Sequence, residues 1–202
     1  AVVATAATWR LKPAPTVRNI VMKSNSPLPD GQGFTRSARH VIAISPDGTK
    51  LAYVANLRIY LRKMEELEAR EIPGTDEDPL EPVFSPDGQS IAYFVPGAIG
   101  TDGFILKKIP IAGGKPQTLC PTTSDPLGVS WRGETIVFGQ FKKGTINAIQ
   151  SIDSNLGGTP ETVVSRDEGK ERVLQPQLLD DGVHLLMTVR PAGASTPDDS
   201  DI

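Results

Sequence analysis

One cysteine and two histidines among 202 residues limit the chemistry that this chain can perform. Cys120 has no second thiol with which to form a disulfide inside the chain. Without a histidine arranged around it, Cys120 is not expected to act as a nucleophile. It ends a strand-like segment in front of a proline, a position that favours a small, half-buried residue.

Metal and cofactor motifs are also missing. The sequence has no His-Glu-x-x-His motif, no paired cysteines and no EF-hand spacing, so it predicts no metal ion and no cofactor. His40 precedes a strand-like segment and His184 alternates with apolar neighbours, which favours surface or strand-edge positions over ligand roles. The run Gly113-Gly114-Lys115 lacks the first glycine and the Ser or Thr of a phosphate-binding loop. No catalytic residue is predicted, and we expect a protein that is not an enzyme.

The chain has no excess of positive charge. Its 21 basic and 24 acidic residues give a net charge of −3, and no cluster of Lys and Arg alternates with aromatic side chains. A nucleic-acid partner is therefore not predicted. Aromatic residues are too few to suggest a binding platform, and Tyr60 and Trp131 are expected to pack in the core. The sequence leaves the ligand-binding residues unknown.

No apolar run reaches the ~20 residues that a membrane-spanning helix needs. Residues 1–9 are apolar and end in a tryptophan, and the sequence does not begin with Met. Residues 1–16 are interpreted as the remnant of a membrane anchor, with the tether upstream of Ala1, or as a linker. A signal-peptide remnant and a disordered tail are the alternatives. Residues 191–202 are small, polar and acidic, and are expected to form a flexible tail.

The most informative feature present is a repeat: SPDGTKLAYV at 45–54 returns as SPDGQSIAYF at 85–94. In each copy proline fixes φ, glycine accepts a positive φ, and aspartate can accept hydrogen bonds from nearby amides, which together favour a tight turn. Alternating apolar residues beside the turn predict a β-hairpin. Asp47, Asp87 and Asp181 are therefore assigned to backbone bonding in turns rather than to a cation-binding ring.

Weaker copies follow downstream, which gives predicted hairpin turns at 45–48, 85–88, 130–133 and 179–182. The turn glycines are 40, 45 and 49 residues apart. This spacing is typical of four-stranded propeller blades of ~40–50 residues. Five positions after each glycine stands a large residue: Tyr53, Tyr93, Phe138 or Met187.

Each of the first three hairpins is followed by a second pair of strand-like segments, twice with a Gly-Gly turn, at 113–114 and 157–158. The pattern predicts an all-β fold, a β-propeller of four-stranded antiparallel blades over residues 17–190 with about three and a half blades present. The segment from Val17 to Lys23 is predicted to be a strand before the first hairpin. The chain is then either a piece of a larger propeller or a four-bladed propeller that closes by means of this strand, and the first interpretation is favoured. A partial propeller would leave open blade edges, which favour self-association.

The hairpin followed by a strand and a Gly-Gly turn, as in LKKIPIAGG at 106–114, resembles the WD40-like propeller repeat of the periplasmic protein TolB and its relatives. More narrowly, SPLP at 26–29, AISPDG at 43–48, YLR at 60–62 and PGT at 73–75 resemble the propeller that follows the membrane anchor in some bacterial Ser/Thr protein kinases.

These resemblances imply a non-enzymatic propeller that binds a protein or small molecule outside the bacterial cytoplasm, in the periplasm or at the cell surface. They imply the sensor or interaction part of a membrane-anchored, receptor-like Ser/Thr kinase. Two alternatives stay open. One is the propeller of a prolyl-oligopeptidase-type serine peptidase whose catalytic domain is not in this chain, since no Gly-x-Ser-x-Gly motif occurs. The other is a TolB-like envelope protein that binds a partner. The fold alone does not choose between them.

Overall fold

The structure is a computed structural model that describes residues 28–29, 31–35, 39–98, 103–142, 144, 146–167 and 169–191. The predicted anchor or linker at 1–16, the predicted strand at 17–23 and the predicted tail beyond Pro191 lie outside these residues. Within the described part of the chain every regular element is a strand, and no helix capable of crossing a lipid bilayer occurs there.

The described strands form three four-stranded sheets and one two-stranded sheet, all antiparallel. Blade 1 comprises β1 (Ile42–Ile44), β2 (Lys50–Ala55), β3 (Arg58–Lys63) and β4 (Arg70–Glu71). Blade 2 comprises β5 (Leu80–Phe84), β6 (Ser90–Pro96), β7 (Phe104–Pro110) and β8 (Gln117–Pro121). Blade 3 comprises β9 (Pro126–Arg132), β10 (Thr135–Lys142), β11 (Ile146–Asp153) and β12 (Glu161–Ser165). The half blade, blade 4, comprises β13 (Glu171–Leu178) and β14 (Leu185–Pro191).

Strand order within each sheet follows chain order, so β1, β5, β9 and β13 each occupy the first edge of a sheet. These four strands also contact one another in sequence, β1 with β5, β5 with β9 and β9 with β13. They are therefore the innermost strands around a common axis. The predicted all-β propeller with about three and a half blades is confirmed.

The core lies between the faces of neighbouring blades. Phe138 is fully buried, and its ring meets that of Phe94 edge to face with the centroids 5.6 Å apart. Tyr93 is buried between blades 1 and 2, and Met187 packs between blades 3 and 4. Three of the four large residues predicted after the turn glycines thus join one blade to the next.

Tyr53, the fourth of these residues, lies on the face of blade 1 that points away from blade 2. Its ring stacks on that of Tyr60 with the centroids 5.5 Å apart, and its hydroxyl donates to Oε1 of Gln32 at 3.0 Å. Tyr60 therefore packs outside the interblade core. Trp131 is in the core as expected, with its indole N–H donating to the carbonyl of Gly133 at 3.1 Å.

Cys120 was expected to be half-buried, and this expectation is wrong. The residue is 1% exposed, because its side chain points into the apolar cluster between blades 2 and 3. Burial raises the pKa of the thiol to about 12. The thiolate is thus disfavoured at neutral pH.

The turns of blades 1 and 2 use the bonding predicted for their aspartates. Oδ1 of Asp47 accepts the amide of Thr49 at 3.0 Å and the hydroxyl of Ser45 at 2.5 Å, and Asp87 does the same with Gln89 and Ser85 at the same distances. In blade 4, Oδ1 of Asp181 accepts the amides of residues 183 and 184, each at 2.9 Å. The assignment of these aspartates to turns is confirmed.

The third hairpin turn differs from the prediction at 130–133. Arg132 pairs directly with Thr135, so Ser130 to Arg132 extend β9 and the turn is only Gly133 and Glu134. The reason is the absence of proline and aspartate before the glycine. The residues that would form a longer loop are missing, and a two-residue hairpin forms instead.

Gly-Gly turns attach blades 2 and 3 to the blade that precedes each of them. The amide of Gly114 in blade 2 donates to the carbonyl of Pro73 beside blade 1 at 3.0 Å. The amide of Gly158 in blade 3 donates to the carbonyl of Leu119 in blade 2 at 2.8 Å. Neighbouring blades are thus joined by backbone hydrogen bonds near their outer strands as well as by the packing of their apolar faces.

Acid should weaken the fold through the turn aspartates. The pKa of Asp47 and that of Asp87 lie below the usual value, mainly because a serine hydroxyl and then a backbone amide bond the ionised form. A lowered folded-state pKa gives stability that is present above the unfolded-state pKa of ~3.9 and is lost as pH falls through the folded-state value.

We therefore expect urea midpoints to fall as the pH drops below ~5 and to fall less steeply in an Asp47→Asn, Asp87→Asn variant. The measurement is a series of urea titrations from pH 7 to pH 3 on both proteins. Asp76→Asn is the control, since Asp76 lies in a loop and not in a hairpin turn. Parallel pH profiles for the wild type and the double variant would contradict the prediction.

Candidate functional site

The four innermost strands enclose an open trough of about 600 Å³ along the axis. Its walls include Ile42 from β1, Val83 from β5, Val129 from β9 and Gln177 from β13. Every described blade thus contributes to one surface. A ligand bound there would touch residues that are far apart in the sequence.

Three of the innermost strands contain a β-bulge, in which two residues lie opposite one. Register shifts place these bulges at residues 81–82 of β5, 127–128 of β9 and 175–176 of β13. In each bulge one residue has a left-handed backbone: Glu81 with φ 51°, Gly128 with φ 88° and Gln175 with φ 51°. Bulges redirect side chains and are over-represented next to functional sites. A non-glycine residue with positive φ also carries strain, which is concentrated at functional positions.

The bulges of blades 3 and 4 are in direct contact. A Cβ atom added to Gly128 would lie 2.6 Å from Cα of Gln175 and 3.2 Å from its backbone nitrogen. These are backbone atoms, which cannot rotate away as the end of a side chain can. Glycine at this position therefore lets two innermost strands approach each other.

Replacement of Gly128 by alanine should lower the free energy of unfolding by about 2 kcal/mol or more, from the left-handed φ and the overlap with Gln175. Gly182→Ala is the matched control, because Gly182 has φ 70° but nothing within 4 Å of an added Cβ. The control should cost about 1 kcal/mol from φ alone. Equal losses in urea unfolding would show that the contact between the bulges is unimportant.

At the end where the innermost strands begin, a second cavity of about 360 Å³ opens into the same region. We call it the channel mouth. Its lining combines charged, polar and apolar residues: Arg39, His40, Glu81, Asp125, Leu127, Gly128, Phe141, Arg172, Leu174, Gln175 and Arg190.

Arg39 joins the approach to blade 1 with blade 3. Its Nη2 lies 2.6 Å from Oδ2 of Asp125, and its Nη1 donates to the carbonyl of Pro126 at 2.8 Å. Because Arg39 is partly buried, this pair is less screened than an exposed one. It fixes two blades that are not neighbours in sequence order.

Glu81 is a buried carboxylate at the bulge of β5, with only 3% of its surface exposed. Its Oε2 lies 3.1 Å from Nδ1 of His40, although the contact lacks the angle of a well-formed hydrogen bond. The Glu81 carboxylate raises the pKa of His40 above its ordinary value, against the opposing effect of burial. The pair is held by the backbone, since the amide of Glu81 donates to the carbonyl of His40 at 3.2 Å.

Arg172 stands on the other side of the channel mouth. Its guanidinium carbon lies 4.2 Å from the centroid of the Phe141 ring, a cation–π arrangement between blades 4 and 3. Arg190 is its direct cross-strand partner in the register of β13 and β14. The channel mouth thus carries two arginines side by side.

The residues singled out in the sequence lie in different places. His40 is at the channel mouth, whereas His184 is exposed in the turn of blade 4, beside Asp181. Asp47 and Asp87 lie in the hairpin turns that follow the innermost strands, which is the opposite end of the trough. Within the described ranges, no group of three or more His, Cys, Asp or Glu could hold a metal ion.

Neither a family model nor a curated protein sequence matches this chain. Among solved structures, a putative TolB from Agrobacterium tumefaciens is 18% identical with a TM-score of 0.58, over 77% of this chain and 59% of that one. TolB from Acinetobacter baumannii is 19% identical with a TM-score of 0.62, over 76% and 38%. A puromycin-hydrolyzing peptidase from Mycobacterium tuberculosis is 18% identical with a TM-score of 0.52, over 77% and 30%.

The chain spans less than two thirds of the length of each of these proteins. Likeness at such low sequence identity bears on fold and not on activity. Together with the strand order and the four-stranded sheets, it shows that the chain has a TolB-like β-propeller fold.

Proposed function

We propose that this chain is a non-enzymatic binding module whose ligand occupies the channel mouth. The observation that carries the proposal is the convergence on that cavity of residues from blades 2, 3 and 4 and from the segment before blade 1, at the end of a trough bounded by three bulged strands. A cavity of about 360 Å³ lies within the ~300–1,000 Å³ range typical of small-molecule sites.

Binding at this position would act on the whole stack of blades. Arg39 and His40 precede blade 1, Glu81 is the second residue of β5 in blade 2, and Arg172 is the second residue of β13 in blade 4. A ligand that contacts several of these residues stabilises the arrangement of blades in which they face one another. Such a ligand raises the free energy of unfolding by mass action. By favouring one arrangement of the blades, it can also shift the conformational equilibrium of a domain joined to the propeller.

The proposed setting is the extracytoplasmic part of a membrane-anchored, receptor-like bacterial Ser/Thr kinase. The support for this setting is the resemblance of four short sequence segments, at 26–29, 43–48, 60–62 and 73–75, to propellers of that kind, together with the TolB-like fold. In this setting the propeller is the sensor and the kinase is the output.

The test is to read the complete coding sequence and then to determine the topology of the parent protein in cells. We expect kinase motifs and an apolar span of ~20 residues on the N-terminal side of the propeller. Protease added to spheroplasts should digest the propeller while the kinase part stays protected. A propeller that is protected from protease in intact spheroplasts would overturn the proposed setting.

The structural likeness to a peptidase supports a second candidate, the propeller of a serine peptidase. In that case the same channel would lead to a hydrolase domain encoded in the rest of the gene. A Gly-x-Ser-x-Gly motif on the C-terminal side of the propeller would favour this candidate over the kinase. A cleaved signal peptide with neither domain would favour a TolB-like envelope protein.

A further inference from the structure

Blade 3 carries a buried glutamine at a position where the other blades have apolar residues. Seven positions after the turn glycine, those blades have an alanine or a valine: Ala55, Val95 and Val189. Blade 3 has Gln140 there, with only 1% of its surface exposed. Gln140 lies two residues after Phe138 in β10 and therefore on the same face, toward blade 2. A polar side chain buried at such a junction calls for a specific explanation.

Half of the Gln140 side chain has no partner. Its Oε1 accepts the hydroxyl of Thr123 at 3.0 Å. Its Nε2, which carries two N–H donors, is buried and has no hydrogen-bond partner among the described residues. The hydroxyl of Ser124, the residue after Thr123, is buried and lacks a partner in the same way. A bound molecule that bonds these groups would recover the free energy lost by burying them.

The residues around Ser124 hold its segment in place. The hydroxyl of Thr122 accepts the amide of Phe104 at 3.0 Å and donates to the carbonyl of Ser124 at 3.0 Å. The hydroxyl of Thr123 bonds Gln140. Both threonine hydroxyls are thus used in fixing the connection from blade 2 to blade 3, and the serine hydroxyl is not. Groups that are fixed before a ligand arrives lose less entropy when it binds.

Ser124 lines a cavity of about 440 Å³ between blades 2 and 3. Its other walls include Pro96 and Phe104 from blade 2 and Phe141 from blade 3. We call it the interblade cavity. It adjoins the channel mouth, because Asp125 and Phe141 line both. Its volume is within the range of small-molecule sites, and apolar walls with a few polar groups are typical of such sites.

The charges of the interblade cavity favour a neutral ligand. The charged residues that line it are Asp125 and Lys142. Asp125 is bonded to Arg39 at 2.6 Å, and Lys142 has an interaction of its own. The groups without partners are instead a hydroxyl and an amide, both uncharged. Ligand hydroxyls match them, since a hydroxyl donates one hydrogen bond and accepts others.

The apolar walls favour a ring over an open chain. The face of a phenyl ring is negative and attracts weakly positive C–H groups. Phe104 and Phe141 supply two such rings in one cavity. A cyclic sugar has C–H groups on its face and hydroxyls around its edge. It can therefore contact the rings and the polar groups at the same time.

We propose that the interblade cavity binds a neutral sugar ring, with its C–H face against Phe104 and Phe141 and one hydroxyl on Oγ of Ser124. Gln140 does not itself line the cavity, so a water molecule joins its amide to the sugar. The inference goes beyond the proposed function, because it places a second ligand in a cavity beside the channel mouth.

The test titrates the 202-residue chain with sugars and follows the amide shifts by NMR. The probes are the methyl glycosides of glucose, galactose and mannose, the uronates with the same rings, and glycerol. We expect the best glycoside to bind at least ~5-fold more tightly than its uronate and than glycerol. The uronate brings a second negative charge to Asp125, and glycerol has no ring to place on the phenylalanines. Equal binding of glycoside and uronate, or of glycoside and glycerol, would overturn the proposal.

Variants separate binding from folding. Ser124→Ala and Gln140→Val should each weaken binding of the best glycoside ~5-fold or more, as the loss of a hydrogen bond requires. Ser124→Ala should leave the urea midpoint unchanged, because its hydroxyl has no partner among the described residues. Ser165→Ala is the matched control, since Ser165 is exposed in β12 and does not line the cavity. Unchanged affinity in both variants, with far-UV circular dichroism showing that they fold, would rule out the site.

The positions of the shifts distinguish this inference from the proposed function. Shifts at Gly103 and Phe104 that Ser124→Ala abolishes would support the interblade site. Shifts at Leu174 and Gln175 that Ser124→Ala leaves unchanged would put the sugar in the channel mouth, which supports the proposed function and overturns this inference. If none of the glycosides binds saturably, water alone bonds Ser124 and Gln140, and the inference is wrong while the proposed function stands.

Discussion

Replacement of Phe138 by alanine is expected to lower the free energy of unfolding by about 3–5 kcal/mol, as large-to-small changes at buried aromatic positions do. Phe138 has no exposed surface and meets Phe94 edge to face across the junction of blades 2 and 3. The change removes an aromatic pair and leaves a cavity between two blades that packing cannot easily close. Urea unfolding followed by both tryptophan fluorescence and circular dichroism gives the value.

Leu67→Ala is the control for this experiment. Leu67 is 95% exposed in the loop between β3 and β4, so its truncation should change the free energy of unfolding by no more than ~0.5 kcal/mol. Because blades contact mainly their neighbours, the fluorescence and circular dichroism transitions will separate if the blades on either side of the cavity unfold in different steps. A loss below ~1 kcal/mol for Phe138→Ala would mean that this junction is not part of the stabilising core.

The repeat could be predicted from the sequence because its determinants are local. In 45–48 and 85–88 serine, proline, aspartate and glycine specify the turn by bonds within a few residues. The alternation of apolar residues after each turn then assigns the two faces of the strand, and those faces form the junctions between blades. The number of blades follows from the spacing of the turns.

The repeat pattern does not predict the length of the third hairpin turn. Gly133 occupies the same place in the repeat as the other turn glycines, but the residues that lengthen the SPDG loops are absent there, and β9 continues to Arg132. A shared glycine fixes the position of a turn without fixing its length. The exact loop depends on the residues between the two strands.

The repeat pattern does not predict the bulges, although prolines mark two of them. Pro82 and Pro176 each form the second residue of a bulge, a place where the missing amide proton does not interrupt the ladder. A proline inside an otherwise regular strand pattern is the signal that could have revealed them. Nothing local marks Gly128, whose role depends on the backbone of Gln175 in another blade.

The channel mouth could not be predicted from spacing at all. Its charged residues lie between positions 39 and 190 and come together only when four blades stand around one axis. His40 looked like an ordinary strand-edge residue because its partner, Glu81, belongs to the next blade. Interblade contacts of this kind depend on how sheets are arranged, which a repeat period does not specify.

Asn147→Ala is expected to lower the free energy of unfolding by about 3 kcal/mol or more, since each buried backbone group left without a partner costs ~1–3 kcal/mol. The side-chain amide of Asn147 donates to the carbonyls of Arg166 at 3.0 Å and Glu171 at 2.7 Å, and its oxygen accepts the amide of Val173 at 3.1 Å. One side chain in β11 thus bonds both ends of the connection from blade 3 to blade 4. Its loss should release β13 and β14, which bear Arg172 and Arg190.

Hydrogen exchange resolves this local effect. In Asn147→Ala the amides of β13 and β14 should exchange faster than in the wild type, while those of blade 1 should keep their protection, because opening is confined to the half blade. Asn155→Ala is the matched control, since Asn155 is exposed and its side-chain amide donates to a carboxylate oxygen of Glu134 at 3.2 Å. Uniform loss of protection over all blades would show instead that the half blade and the complete blades unfold as one unit.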